Sequence, residues 1–321
     1  MMYSLTHNNH FKFGYNEEWY RSRQNQEDVY TVQFGHCSRT PDSFRYESIE
    51  AARLIGNNSY NIQVLYSGGV DSETCMLSFM AARVPFKAAI MRFNSDLNDH
   101  DIVYAIRFCE RNKVPYIIYD IDIVKFLENK AIDYMEATHC TSPMTAATMW
   151  LCDQITARDG YPVLGQGECY LLKPERLRWQ RVKEARVSVY QDKEFAVDEW
   201  ALQESEMMNG WYRHFLLNNI NGVPGFHQYT PEQIYSYITD VNVVRLINRQ
   251  NDSISSNVPS KMEIYQRHFD MCPRPKYTGY EQRKTSELIT TLHNHLLEKF
   301  SDYQNIYLID YESLKSQLEL Q

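Results

Sequence analysis

An apolar stretch, Ile62-Gln63-Val64-Leu65-Tyr66, runs straight into Ser67-Gly68-Gly69-Val70-Asp71-Ser72, after which apolar residues recur at helical spacing. A strand that turns through two glycines into a helix leaves a chain few folds to choose from. The glycines allow positive φ and let backbone approach an anion without interference from Cβ. The turn offers successive N–H groups, and the helix opening near Ser72 adds the positive end of its dipole. Ser67 and Ser72 hydroxyls can donate to phosphate oxygens. Asp71 is out of place beside bare phosphate and makes sense as a ligand to a magnesium ion that neutralises it. The competing reading is an ordinary glycine turn capped by aspartate. Six agreeing positions between a strand and a helix disfavour it.

The surrounding segments extend the same rhythm. Phe86–Phe93, Val114–Ile121 and Tyr161–Leu164 read as further strands. Between the first two strands, Met76, Phe79, Met80 and Arg83 share one helix face. Ile102, Ala105, Ile106 and Cys109 repeat that spacing after a start at Asn98-Asp99. Thr141 or Ser142 followed by Pro143 is an N-cap with proline at the first helical position, opening a helix to about Ala157. Short strand–helix units imply a parallel sheet with right-handed crossovers, and ligands in such sheets bind beyond the strands' carboxyl ends.

The expected organisation is an N-terminal extension over 1–60, an α/β domain carrying the phosphate-binding turn over 61–172 and a mostly helical region over 173–321. In the extension, Val29–Phe34 alternates like a half-buried strand, and Ser48–Ile55 reads as a short helix. In the last region helices are expected over Glu199–Asn218, Pro231–Asn248 and Ser286–Phe300. A hairpin is expected over Arg186–Val197 and a mobile loop over Asn251–Ser260. No internal repeat or low-complexity linker interrupts the chain.

Charge and cysteine usage narrow the class. A net charge of −8 on 321 residues disfavours a nucleic-acid partner, although net charge is silent on local patches. Lys173, Arg176, Arg178, Arg181, Lys183 and Arg186 form the one basic run, which could meet phosphate or RNA but reads better as a solvated helix face. Seven scattered cysteines with no C-x-x-C pair argue against a zinc site and suit a reducing compartment. The N-terminus lacks a basic segment followed by an apolar core, and no apolar run spans a bilayer. A cytoplasmic protein is expected.

Two later segments add to the loop. Leu164-Gly165-Gln166-Gly167-Glu168-Cys169-Tyr170 places two glycines at a strand's end, with Glu168 as a second carboxylate for magnesium. An ordinary strand-to-loop turn fits it equally well. Cys272-Pro273-Arg274-Pro275-Lys276-Tyr277-Thr278-Gly279 is proline-stiffened and carries two cations. These suit charge on a leaving pyrophosphate, though a solvated basic turn is the commoner occurrence of such a segment. His139-Cys140, His7 and His10 lack a third metal ligand at sensible spacing and read as surface or capping residues. Asn94, Asp96 and Asn98 follow the second strand and read as turn and N-cap residues or as ligand contacts at that strand's end. Trp200, Trp211, Tyr212 and Phe215 read as core. There is no Walker P-loop and no G-x-G-x-x-G.

The Ser67–Ser72 motif resembles the signature of the PP-loop ATP pyrophosphatases, which include asparagine synthetase, β-lactam synthetase and the GMP and NAD synthetases. The resemblance covers residues 60–170. It implies a Rossmann-like domain, cleavage of ATP between its α and β phosphates, and ATP and Mg2+ as cofactors. Gly165 to Cys169 is similar to the G-E-G-x-D-E stretch of asparagine and β-lactam synthetases. By register Cys169 stands at the family's metal-binding aspartate, which leaves Glu168 to serve. Arg274 to Gly279 looks like their R-x-K-x-x-G loop, which implies a catalytic role for Lys276 and support from Arg274. Gly165 and Gly167 would then join Ser67, Gly68, Gly69, Val70, Asp71 and Ser72 in holding ATP, with Asp71 and Glu168 holding the metal. The chain departs from glutamine-using asparagine synthetase in having no cysteine after the initiator methionine and no room for a glutaminase domain. The implied activity is adenylylation of a small-molecule carboxylate, then amide formation with ammonia or an amine. The alternatives are a PP-loop enzyme that modifies RNA or a nucleobase, and a nucleotide-binding protein without catalysis.

Overall fold

The computed structural model describes residues 10–16, 18–20, 25, 27–28, 30–140, 142–165, 171–172, 199–202, 206–241, 261–271, 286–299 and 307–320. The chain begins with strands β1 (Phe11–Tyr15), β2 (Glu18–Trp19) and β3 (Tyr30–Phe34), an antiparallel sheet in the order β2-β1-β3. Phe13 and Tyr15 are fully buried on it. Helix α1 (Phe44–Asn58) is capped by the Ser43 hydroxyl, which accepts from Tyr46 N–H. It extends beyond the expected Ser48–Ile55 because its buried positions, Phe44, Glu47, Ser48, Ala51, Ala52 and Ile55, hold one face over three turns.

Next come β4 (Ile62–Leu65), α2 (Val70–Ala82), β5 (Lys87–Phe93), α3 (Asp99–Asn112), β6 (Tyr116–Ile121), α4 (Ile123–Asn129), α5 (Ala131–Thr138), α6 (Pro143–Thr156) and β7 (Tyr161–Leu164). The four strands make an all-parallel sheet in the order β6-β5-β4-β7. Every residue of β4 and β7 is buried, as a sheet covered on both faces requires. Alternate residues divide between the two faces. Ile62, Val64, Ala88, Ile90 and Val163 pack with Cys75, Met76 and Phe79 of α2 and Ile102, Ala105 and Cys109 of α3. Leu65, Ala89 and Leu164 pack with Met149, Cys152 and Ile155 of α6. The chain therefore winds outward from β4 through α2 and α3 on one face. It returns across the other face through α6 to place β7 on β4's free side. The strand order reverses between β4 and β7, so the crevice at their carboxyl ends is the switch point of a doubly wound fold.

Pro162 has no N–H, yet its carbonyl accepts from Val223 N–H at 2.8 Å and Val223 O accepts from Leu164 N–H at 2.9 Å. Val223 bridges Val163 in parallel, and a 3-10 turn, Phe226–Gln228, follows.

The C-terminal part comprises β8 (Leu171–Leu172), β9 (Glu199–Leu202), α7 (Glu206–Leu217), α8 (Pro231–Ile238), α9 (Lys261–Phe269), α10 (Ser286–Lys299), β10 (Tyr307–Asp310) and α11 (Tyr311–Leu318). It is largely helical, with a small antiparallel sheet in the order β10-β9-β8. Two expectations are corrected here. The helix expected over Glu199–Asn218 begins only at Glu206. Glu199–Leu202 is a strand because β8 and β10 flank it, and pairing on both sides outweighs local helical preference. The helix expected as continuous over Pro231–Asn248 is interrupted after Ile238, where Thr239 is the C-cap and its hydroxyl donates to Tyr235 O at 2.7 Å; residues 242–248 lie outside the described residues. The expected hairpin over Arg186–Val197, the loop over Asn251–Ser260 and the Lys173–Arg186 basic run lie outside the described residues. No helix among the described residues is long and apolar enough to cross a membrane.

Candidate functional site

Tyr66 follows β4, still tied to the sheet by its N–H to Ala89 O at 2.9 Å. Its hydroxyl donates to Glu73 Oε2 at 2.6 Å, with both residues buried. This bond bridges the glycine turn, joining the strand that enters it to the first turn of the helix that leaves it. Gly68 sits at φ +78°, and a Cβ there would lie 2.9 Å from the Asp101 carbonyl of α3. Conformation and space both demand glycine at that position. Gly69 is the N-cap of α2 and brings no side chain to cover the orphan N–H groups of the first turn. Its carbonyl accepts from Glu73 N–H at 3.0 Å to open the helix.

Hydroxyls gather beside these amides. Ser67 Oγ accepts from Gly69 N–H at 3.3 Å and lies 3.4 Å from Ser72 Oγ, which donates to Gly69 O at 3.0 Å. Uncapped helical amides with two hydroxyls at a strand-to-helix turn suit a phosphate group. Gly165 reaches the same place from β7. A Cβ on it would stand 2.6 Å from Ser72 Cα and 3.2 Å from Cys75 Cβ, so this glycine lets β7 close against the helix that carries the loop. The structure thus brings Ser67, Gly68, Gly69, Val70, Asp71, Ser72 and Gly165 together at the switch point. Gly167, Glu168, Arg274 and Lys276, like Cys169, lie outside the described residues.

Asp71 is fixed by two residues that sequence reasoning missed. Its Oδ1 accepts from the Tyr265 hydroxyl at 2.9 Å. Its backbone carbonyl lies 2.9 Å from His227 Nε2, which must carry the proton to donate. Tyr265 is fully buried, and its ring stacks on His227 (5.8 Å, 26°) and on Phe44 (6.1 Å, 24°). These three rings come from α9, the turn that follows Val223, and α1. Met271, just past α9, touches the same helix, with Thr74 Oγ1 3.3 Å from its Sδ. No local spacing signals a contact between residues 71 and 265, since Tyr265 and Phe269 read simply as an apolar helix face. As a partly exposed carboxylate at the edge of the turn, Asp71 offers the hard oxygen donor that Mg2+ prefers. The donor chemistry fits that ion, with Glu168 as the further carboxylate expected from sequence.

Other expected positions fall as follows. Asn98 is buried, with Oδ1 accepting from Phe93 N–H at 2.8 Å and Nδ2 donating to Met91 O at 2.9 Å. It shapes the turn after β5. Asn94 and Asp96 lie exposed in that turn. Arg92 and Asp120, cross-strand partners, pair through two bonds of 2.5 and 3.0 Å, and the guanidinium holds the Asp120 carboxyl below its ordinary value. His139 is the left-handed C-cap of α5. His10 is pushed down to about 4 by burial, which keeps it neutral. Trp211, Tyr212 and Phe215 belong to the core. Cys37, Cys75, Cys109, Cys140 and Cys152 are buried and in no disulfide. Burial pushes the Cys140 thiol up to about 11 and those of Cys75 and Cys152 well above the ordinary range. These are structural thiols without nucleophilic thiolate character.

No protein-family model matches this chain, and no curated protein matches it significantly. Among solved structures, it is similar to NMN synthetase from Francisella tularensis at 12% identity, covering 82% of this chain and 95% of that one, with a TM-score of 0.33. It is also similar to the NH3-dependent NAD synthetase from Campylobacter jejuni at 14% identity, covering 73% of this chain and 98% of that one, with a TM-score of 0.31. The fold assignment rests on the strand order and register of the parallel sheet itself.

Proposed function

We propose that this chain is a PP-loop ATP pyrophosphatase: an AMP- and pyrophosphate-forming synthetase that adenylylates a substrate carboxylate and converts it to an amide, as asparagine synthetase does. The observation that carries the reading is the Ser67–Ser72 turn at the switch point. It combines the left-handed Gly68, the uncapped amides of α2, two hydroxyls and Asp71.

The chemistry follows from those groups. A carboxylate oxygen attacks the α-phosphorus of ATP, and the bond from that phosphorus to the bridging oxygen of pyrophosphate breaks. Amides of the turn and the hydroxyls of Ser67 and Ser72 hold the departing pyrophosphate, offsetting charge as it develops. Asp71, with Glu168, would hold a magnesium ion, which would supply charge neutralisation of the polyphosphate. Ammonia or an amine then attacks the acyl carbon, AMP leaves, and a proton is lost from nitrogen. Lys276 and Arg274 add positive charge toward the phosphates in this scheme.

The test is exchange of labelled pyrophosphate into ATP over a panel of carboxylates, with tRNA as a separate arm. Exchange dependent on a small carboxylate supports the proposal. Exchange dependent on tRNA would move the acceptor to a nucleobase. ATP binding with no exchange for any acceptor would contradict the proposed catalysis.

A further inference from the structure

We infer that Tyr265 is the positioning residue of Asp71, setting the direction in which that carboxylate meets a Mg2+·ATP complex. The inference rests on the proposed function above. Asp71 lies in the first turn of α2, where its side chain is partly exposed. On a bare helix it would sample several rotamers. Here Oδ1 is the acceptor of the Tyr265 hydroxyl at 2.9 Å. Tyr265 is itself held without slack: it is fully buried, and its ring stacks on Phe44 and His227. His227 fixes the same residue's backbone by donating to Asp71 O at 2.9 Å.

The helix that carries Tyr265 is anchored one turn further on. His268 Nε2 lies 2.7 Å from Asp240 Oδ2, and Arg45 Nη1 donates to His268 O at 2.6 Å. A phenol donating to one carboxylate oxygen orients the group toward a cation without spending its charge, the usual task of an outer-shell partner. The arrangement also makes the ion site depend on α9, 194 residues away in sequence.

Tyr265→Phe isolates the effect, since it removes only the hydroxyl and keeps the ring and its stacking. The experiment measures the ATP dissociation constant by calorimetry in EDTA and in saturating Mg2+, for wild type, Y265F, D71N, the Y265F/D71N double variant and T74V. Their melting temperatures are recorded alongside. The quantity read is the factor by which Mg2+ tightens ATP binding. In Y265F it falls roughly 10-fold or more, with the EDTA value unchanged. In D71N it falls close to one, and adding Y265F changes nothing further. T74V, which alters the contact with Met271 just past α9 and keeps the Tyr265 hydroxyl, leaves the factor at its wild-type value.

An unchanged factor in folded Y265F overturns the positioning role while leaving the loop's function intact. An additive effect of Y265F in the D71N background overturns it too. Wild-type protein that fails to bind ATP at all overturns the underlying reading, and the inference with it.

Discussion

Substituting Gly68 by alanine tests the geometry of the turn at its tightest point. Two costs add. An L-residue at φ +78° loses about 1–2 kcal/mol relative to glycine. The new methyl would also stand 2.9 Å from the Asp101 main-chain oxygen, which sits in the first turn of α3 and has little freedom to retreat. Forcing such a contact costs about 1–3 kcal/mol. The sum is about 2–5 kcal/mol, a Tm reduction of roughly 3–8 °C for a chain of this size. Gly69→Ala is the internal comparison. At φ −81° and ψ 159° alanine is unstrained, and its Cβ would meet only Ser67 Oγ, at 3.2 Å. The loss there is under about 1 kcal/mol, from a poorer N-cap. Urea unfolding of both variants, followed by circular dichroism, gives the two values. Equal stability of G68A and G69A would refute the reasoning, since neither the left-handed backbone nor the Asp101 contact would then be real.

Further predictions concern buried polar groups. Tyr66→Phe removes one donor from the buried Glu73 carboxylate and lowers stability by about 1–3 kcal/mol, read from the urea midpoint. The buried thiols predict alkaline sensitivity. Cys140 stays neutral up to about 11 in the folded chain but ionises near 8.5 when unfolded, so its stabilising contribution is lost as pH rises from about 8.5 to 11. Urea midpoints at pH 8, 9.5 and 10.5 should fall in that order, with C140A flattening the decline. His10 acts at the acid end. Its folded value of about 4 lies below the unfolded one, so stability is full above about pH 6.5 and declines toward pH 4. H10N should remove that slope, and an unchanged slope would contradict the assignment.

Local signals carried most of the sheet. Ile62–Leu65, Lys87–Phe93, Tyr116–Ile121 and Tyr161–Leu164 are apolar runs between turn residues, and each became a parallel strand. Ser142 before Pro143 marked a helix start that the structure reproduces, with Ser142 Oγ accepting from Thr145 N–H. The failures have a common cause in distance along the chain. Glu199–Leu202 looks helical alone and becomes a strand only because β8 and β10 flank it. Tyr265 and His227 meet Asp71 across 194 and 156 residues, and such contacts leave no periodicity to read. Gly165 was legible as a glycine at a strand's end, but the partner it closes against, the first turn of α2, was not.

The most direct test of the central claim is the fate of ATP labelled at its α-phosphate, with purified protein, Mg2+ and a panel of carboxylates plus ammonia. Label is expected in AMP, with pyrophosphate released in equal amount and both lost in D71N. Label in ADP, with release of inorganic phosphate, would contradict it.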